Sequence, residues 1–197
     1  LAKLLGTGLQ ADAFFVALKI PNLFRDLVGE GATNAAVVPV FSEYSANKDK
    51  GNFNNFVSVV FTLMLIVLAV LTVLGILLAP LLVRLLVPGF VEEPEKLRLT
   101  IQLTQLMFPY LFFIGLTAFS MGILFTFRSF AAPAFAPCFL NIAMIASALL
   151  AAKMMPEPVY GLVAGVLVGG FLQLAVQIGP LLKTGIRFQK PASLSHP

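Results

Sequence analysis

ADAFFVALKIPNLFRDLVGEGATNAAVVPVFSEY, residues 11–44, is long and greasy enough for a membrane-crossing helix, yet five charges interrupt it before Glu43 near its end. They are Asp12, Lys19, Arg25, Asp26 and Glu30. Pro21 and Pro39 each remove a backbone donor, and Gly29 and Gly31 loosen the middle. At mid-membrane the five charges would cost on the order of 12–17 kcal/mol on an insertion scale. The Leu, Ile, Phe and Val side chains between 13 and 41 return roughly 4–8 kcal/mol on the same scale. The cost is larger than the return, so this helix is not expected to face lipid on all sides. Its charges must turn toward other helices, a water-filled cavity, or both.

The spacing gathers most of them on one face. Asp12, Lys19 and Asp26 are seven apart, and Glu30 follows four later. At about 100° per residue these four lie within ~40° of one another, and Asn34 extends the stripe. Arg25 points roughly 100° away from Asp26, toward a second direction. Two readings stay open. The charges pair with each other or with neighbouring helices and only lock a bundle, with Asp12 capping the helix start. Alternatively they border a solvated cavity for a polar or charged cargo, the usual meaning of ionisable groups inside a membrane.

The rest of the chain sets this segment among further spans. Of 197 residues, 59% are apolar and 11% charged. A soluble domain carries about 45–50% and about 25%. Uncharged runs cover 51–83, 99–127, 129–152 and 158–182, each long enough to cross a bilayer with some tilt. They are too long for strands and lack alternation, so the expected fold is all-α, a polytopic transmembrane helical bundle. The expected units are the end of a first helix over 1–8, then helices over 11–44, 53–86, 97–127, 133–153 and 158–183. A linker over 184–197 follows. The chain begins with Leu and lacks a signal peptide's basic start and cleavage site, and LAKLLGTG reads as the tail of an earlier helix. It therefore reads as an internal piece of a longer membrane protein.

Lys48, Lys50, Arg128, Lys183, Arg187 and Lys190 fall on one side, against Lys3, Arg84, Lys96, Arg98 and Lys153 on the other. This bias places the 45–52 loop and the C-terminal tail in the cytoplasm.

Several function classes receive no support. The basic residues are scattered, so no nucleic-acid face is expected. Cys138 is the only cysteine, which excludes an internal disulfide and a cysteine-based metal site, and its apolar run suggests a buried thiol. His196 lies in the polar tail, Glu92, Glu93 and Glu95 form a solvated loop cluster, and no phosphate-binding glycine loop is present. No catalytic group, metal or cofactor is expected. Gln102, Gln105, Tyr110, Asn141, Gln173 and Gln177 either line a cavity or bond across helices.

ADAFFVALKIPNLFRDLVGEGA followed by VVPVFSEY resembles the second transmembrane helix of the MurJ/MviN lipid II flippases, within the multidrug/oligosaccharidyl-lipid/polysaccharide exporter superfamily. LTQLMFPYLFF and PAFAPCFLNIAMI resemble that family's fourth and fifth helices, and VGGFLQLAVQIGPLLK its sixth. The resemblance implies a partial N-lobe of a two-lobe exporter fold in the bacterial inner membrane, with the second lobe outside this chain. It implies transport of lipid II from the inner to the outer leaflet by alternating access about a cationic cavity. Lipid II and membrane lipids would be the partners. Arg25 matches a cavity arginine, and Lys19 a position basic in relatives. With Asn22 these are the implied head-group-binding residues. Asp12 and Glu30 match acidic positions of the family, and with Asp26 they are the implied gating or ion-pair residues, with cations outside this chain as partners. Asp26 is itself a departure, since many relatives carry a second basic residue there. The alternatives are another exporter of the superfamily, moving a polysaccharide-linked lipid or a drug, or a non-transporting structural membrane subunit.

Overall fold

The computed structural model describes residues 8–25 and 50–186. Residues 1–7 of the expected first-helix end, residues 26–49 with Asp26, Glu30 and Asn34, and residues 187–197 with His196 lie outside the described residues. So do Lys3, Lys48, Arg187 and Lys190.

Among the described residues five α-helices form an all-α bundle: α1 (Leu9–Arg25), α2 (Lys50–Leu86), α3 (Pro94–Thr126), α4 (Ala131–Met154) and α5 (Pro158–Lys183). No strand occurs among the described residues. A short 3₁₀ turn, Pro88–Glu92, joins α2 to α3. Proline opens both α3 and α5, where its missing N–H has no partner to lose. The helices α2 (from Phe53), α3, α4 and α5 are long and apolar enough to cross a membrane.

The bundle is organised around α3. Its most apolar window is 72% buried, against 17% for α2 and 22% for α4. It packs on α1, α2 and α5, while α4 packs chiefly on α5. The outer faces of α2 and α4 are apolar, with Leu63, Val70, Leu77, Leu81, Ile142, Ile145 and Leu149 exposed. That pattern suits hydrocarbon, which neither repels such side chains nor satisfies polar ones. Hydroxyls within the helices bond backwards to their own backbone: Thr100 donates to the Lys96 carbonyl, Thr104 to Thr100 and Thr117 to Phe113, at 2.7–2.8 Å.

Glycine sets two of the helix contacts. A Cβ on Gly75 of α2 would overlap the Phe108 ring of α3, and one on Gly115 of α3 would overlap the Leu68 side chain of α2. Leu68 and Gly75 are seven apart, as are Phe108 and Gly115. Each helix therefore offers one knob and one hole to its antiparallel neighbour. Between α4 and α5 the device is repeated every four residues. Gly161 and Gly165 of α5 sit against Ala151 and Ser147 of α4, and Gly169 against Leu140 and Ala143. Small residues at this spacing let two backbones approach closely, as apolar packing in lipid requires.

The α3–α4 turn is tight. Ser129 N–H donates to the Leu124 carbonyl at 2.8 Å and Arg128 N–H to Phe125 at 3.0 Å, with Arg128 at φ 55°. This is the Schellman closure of a helix end, with arginine at the left-handed position that usually takes glycine.

Candidate functional site: a cavity among four helices

Helix α1 has two faces. Ala13, Phe14, Ala17, Ile20 and Pro21 are buried, in a core with Leu103, Met107, Phe108 and Leu111 of α3. Asp12, Phe15, Lys19 and Leu23 form the opposite, exposed stripe. Of the charged stripe read from the sequence, Asp12 and Lys19 are described: both are exposed, and apolar Phe15 and Leu23 are interleaved with them.

At its start α1 is tied to α3. Lys96 Nζ lies 2.9 Å from the Asp12 carboxylate and 3.6 Å from that of Glu93, and 4.3 Å from the centre of the Phe90 ring. The Lys96 side chain is only 11% exposed, while Asp12 is 53% exposed. The cation for Asp12 was expected outside this chain. It is supplied from within, by the first turn of α3.

The two helices run parallel in constant register. Asp12 meets Lys96, the Phe24 ring stands 5.9 Å from the Phe108 ring, and Arg25 shares a cavity with Tyr110. Thirteen residues at 1.5 Å rise put Arg25 about 20 Å along the axis from Asp12. On an ideal helix Arg25 lies ~20° from Phe14 and ~40° from Pro21, on the buried side.

There Arg25 lines a cavity of about 200 Å³. Tyr110, Ile114, Thr117, Ala118 and Met121 of α3 form one wall. Pro133, Ala136, Pro137 and Leu140 of α4 form a second, and Gln173 and Gln177 of α5 a third. Arg25, Tyr110, Thr117, Gln173 and Gln177 are thus the polar residues around an otherwise apolar chamber. The Thr117 hydroxyl is already donated to the Phe113 carbonyl. The chamber contains no acid–base pair or nucleophile among its lining residues, and no group of metal-ligating side chains occurs among the described residues.

The other expected binding residues do not join Arg25. Lys19 is exposed on the far face of α1. Asn22 is half-buried, outside the lining, and its Oδ1 has no hydrogen-bond partner among the described residues. Of the polar positions left open between two roles, Gln173, Gln177 and Tyr110 line the cavity, whereas Gln105 bonds across helices, donating to the Ile76 carbonyl at 3.2 Å. Gln102 accepts a long 3.5 Å bond from the Tyr160 hydroxyl, and Asn141 is exposed. Cys138 is exposed, not buried, because it lies on the side of α4 that faces away from α5.

The sequence profile described as "Lipid II flippase MurJ" matches residues 1–196. The chain belongs to the MurJ lipid II flippase family. It is 40% identical over 183 residues to the lipid II flippase MurJ of Burkholderia cenocepacia, covering 93% of this chain and 36% of that protein. It is 44% identical over 181 residues to the probable lipid II flippase MurJ of Rhizobium tropici, covering 89% and 34%. Against the probable lipid II flippase MurJ of Treponema pallidum the identity is 36% over 201 residues, covering 98% and 37%. The chain spans about a third of the length of these MurJ relatives.

Proposed function

We propose that the full-length protein carries lipid II from the inner to the outer leaflet of the bacterial cytoplasmic membrane. This chain would supply most of the N-terminal lobe, from the end of the first helix through the sixth. The MurJ match over almost the whole chain supports this reading, and one structural observation carries it to a residue. Arg25, a residue that would cost about 2.5–3.5 kcal/mol at mid-membrane, borders a cavity between helices. A guanidinium there can bind a phosphate through two parallel hydrogen bonds. In an alternating-access cycle the two lobes would rock about the head group. The α1 stripe of Asp12, Phe15, Lys19 and Leu23 would face the second lobe, and Asp26 and Glu30 would continue it as gating residues.

A structural role is favoured for one member of that stripe. Asp12 is held by Lys96 of the same chain, so it joins α1 to α3 whatever the cargo does.

The test is a leaflet-resolved lipid II assay in cells depleted of their own flippase and supplied with the full-length protein. Wild type restores outer-leaflet lipid II, and Arg25→Ala at equal abundance does not. Undiminished export by the variant removes Arg25 from the binding role. No export by the wild type removes the flippase reading itself.

A further inference from the structure

Three helices meet at the Phe108 ring of α3, which is fully buried. The ring fills the notch left by Gly75 of α2, where a Cβ would overlap it. Glycine inside a helix is less favourable than alanine, so α2 is weakened locally to make room for this ring. The next residue, Ile76, accepts the Gln105 side-chain bond at 3.2 Å, and Gln105 lies one turn before Phe108 on the same face of α3. Two separate contacts therefore fix this level of α3 on α2. The Phe108 ring also meets the Phe24 ring of α1, with centres 5.9 Å apart and planes at 60°.

The end of α1 depends on such a contact. Pro21 has no N–H with which to bond the Ala17 carbonyl, so the turn that follows is joined to the rest of α1 by one hydrogen bond fewer. That turn carries Asn22, Leu23, Phe24 and Arg25. Of its two apolar side chains, Leu23 is exposed and Phe24 packs against the buried core. The Arg25 Cα stands ~3.8 Å from that of Phe24, with no hinge between them, so a sideways shift of Phe24 carries Arg25 with it. On α3, Tyr110 lies two residues beyond Phe108 and lines the same cavity as Arg25. The ring pair thus links the α2–α3 anchor to the part of α1 that reaches the cavity.

We propose that Phe24 is a positioning residue for Arg25: packed on Phe108 at the Gly75 notch, it sets where the guanidinium stands at the cavity. The proposal rests on the reading of Arg25 as a head-group-binding residue, and it adds the contact that holds that residue in place. An aromatic ring suits the role, because two rings at this separation prefer tilted or edge contacts over other arrangements. Leucine would keep the burial and lose that restraint.

The experiment measures lipid II affinity of the purified full-length protein. Phe24→Leu is expected to weaken binding several-fold, and Phe24→Tyr, which keeps the ring, to retain most of the affinity. In an Arg25→Ala background Phe24→Leu is expected to have no further effect, because the residue it positions is gone. Gly75→Ala, which displaces the Phe108 ring, is expected to show the same dependence on Arg25. Where Arg25→Ala weakens binding, an equal loss from Phe24→Leu in both backgrounds, or a loss in neither, overturns the proposal, and the ring pair then serves the fold alone. A second measurement needs no cargo. In full-length protein freed of other cysteines, Cys138→Ser included, Arg25→Cys is expected to react with a polar thiol reagent at a rate that changes several-fold when Phe24→Leu is added. Met121→Cys, on the α3 wall of the cavity, is expected to keep its rate. A rate at position 25 that does not depend on Phe24, or an equal change at both positions, overturns the proposal. Arg25→Ala that binds lipid II like wild type removes Arg25 from head-group binding, while a labelling rate at position 25 that still depends on Phe24 keeps the positioning contact.

Discussion

Gln105 of α3 donates its side-chain N–H to the carbonyl of Ile76 in α2, at 3.2 Å. The carbonyl is available because Pro80, four residues on, has no N–H with which to close the helical bond. A polar residue in one helix thus repairs the break that proline makes in another. Gln105→Leu leaves that carbonyl unpaired, an expected loss of about 1–3 kcal/mol in the unfolding free energy of the full-length protein. In a Pro80→Ala background, where α2 closes its own bond, the same substitution should cost much less. Equal losses in both backgrounds, by denaturation in detergent, would show that the bond contributes nothing.

The α4–α5 contact predicts an unusual sensitivity to one methyl group. Gly165→Ala places a Cβ against Ser147 Oγ and should cost about 1–3 kcal/mol through overpacking. Ser147→Gly in the same protein should recover part of the loss. Gly179, which meets nothing within 4 Å on the same helix, is the control, where alanine should be neutral or mildly stabilising. Thermal midpoints of the purified variants decide between them.

The pairing of Asp12 with Lys96 calls for a charge exchange. Asp12→Lys or Lys96→Asp alone sets like charges together in a partly buried site and should lower the amount of protein in the membrane. The exchanged pair should recover toward wild-type abundance. Failure of the exchange to improve on either single change would assign Asp12 a role outside the pair.

Arg128 carries a prediction of opposite sign. At φ 55° it occupies the left-handed region, which costs an ordinary residue about 1–2 kcal/mol. Arg128→Gly and Arg128→Asn should each raise the thermal midpoint, while Arg128→Val should lower it. A midpoint unmoved by all three would show that the turn carries no strain.

Cysteine chemistry probes the cavity directly. Arg25→Cys, as the only thiol of the full-length protein, should react with a membrane-impermeant thiol reagent in at least one transport state. Phe14→Cys, packed in the core one helix face away from solvent, should remain unreactive throughout. Equal silence at both positions would make the Arg25 site a closed pocket.

The four long helices of the described residues were legible because each contains most of one uncharged run, and charge is what a bilayer excludes. The two directions of α1 were legible from periodicity alone: Arg25 does leave the face that holds Asp12 and Lys19. Partners were harder. Lys96 is 84 residues from Asp12, and no local pattern ties them. Its approach depends on the parallel register of α1 and α3, which emerges only when Phe14, Ala17 and Phe108 pack. The roles of Gln105 and Gln177 were likewise undecided, since a glutamine in an apolar run reads the same whether it meets a freed carbonyl or a cavity. The spacing of Gly161, Gly165 and Gly169 does carry a signal for close helix packing, though the apolar residues around it give no sign of which helix it meets.

That glycine spacing also determines how the chamber can change shape. Gly169 packs on Leu140 as well as Ala143, and Gly161 touches Met155 as well as Ala151. Both ends of the track are therefore already filled by a large side chain, which opposes sliding of α4 along α5. The partition bearing Pro133, Ala136 and Leu140 is keyed to the partition bearing Gln173 and Gln177. If the chamber widens during a transport cycle, it does so by the α4–α5 hairpin swinging away from α3 as one body.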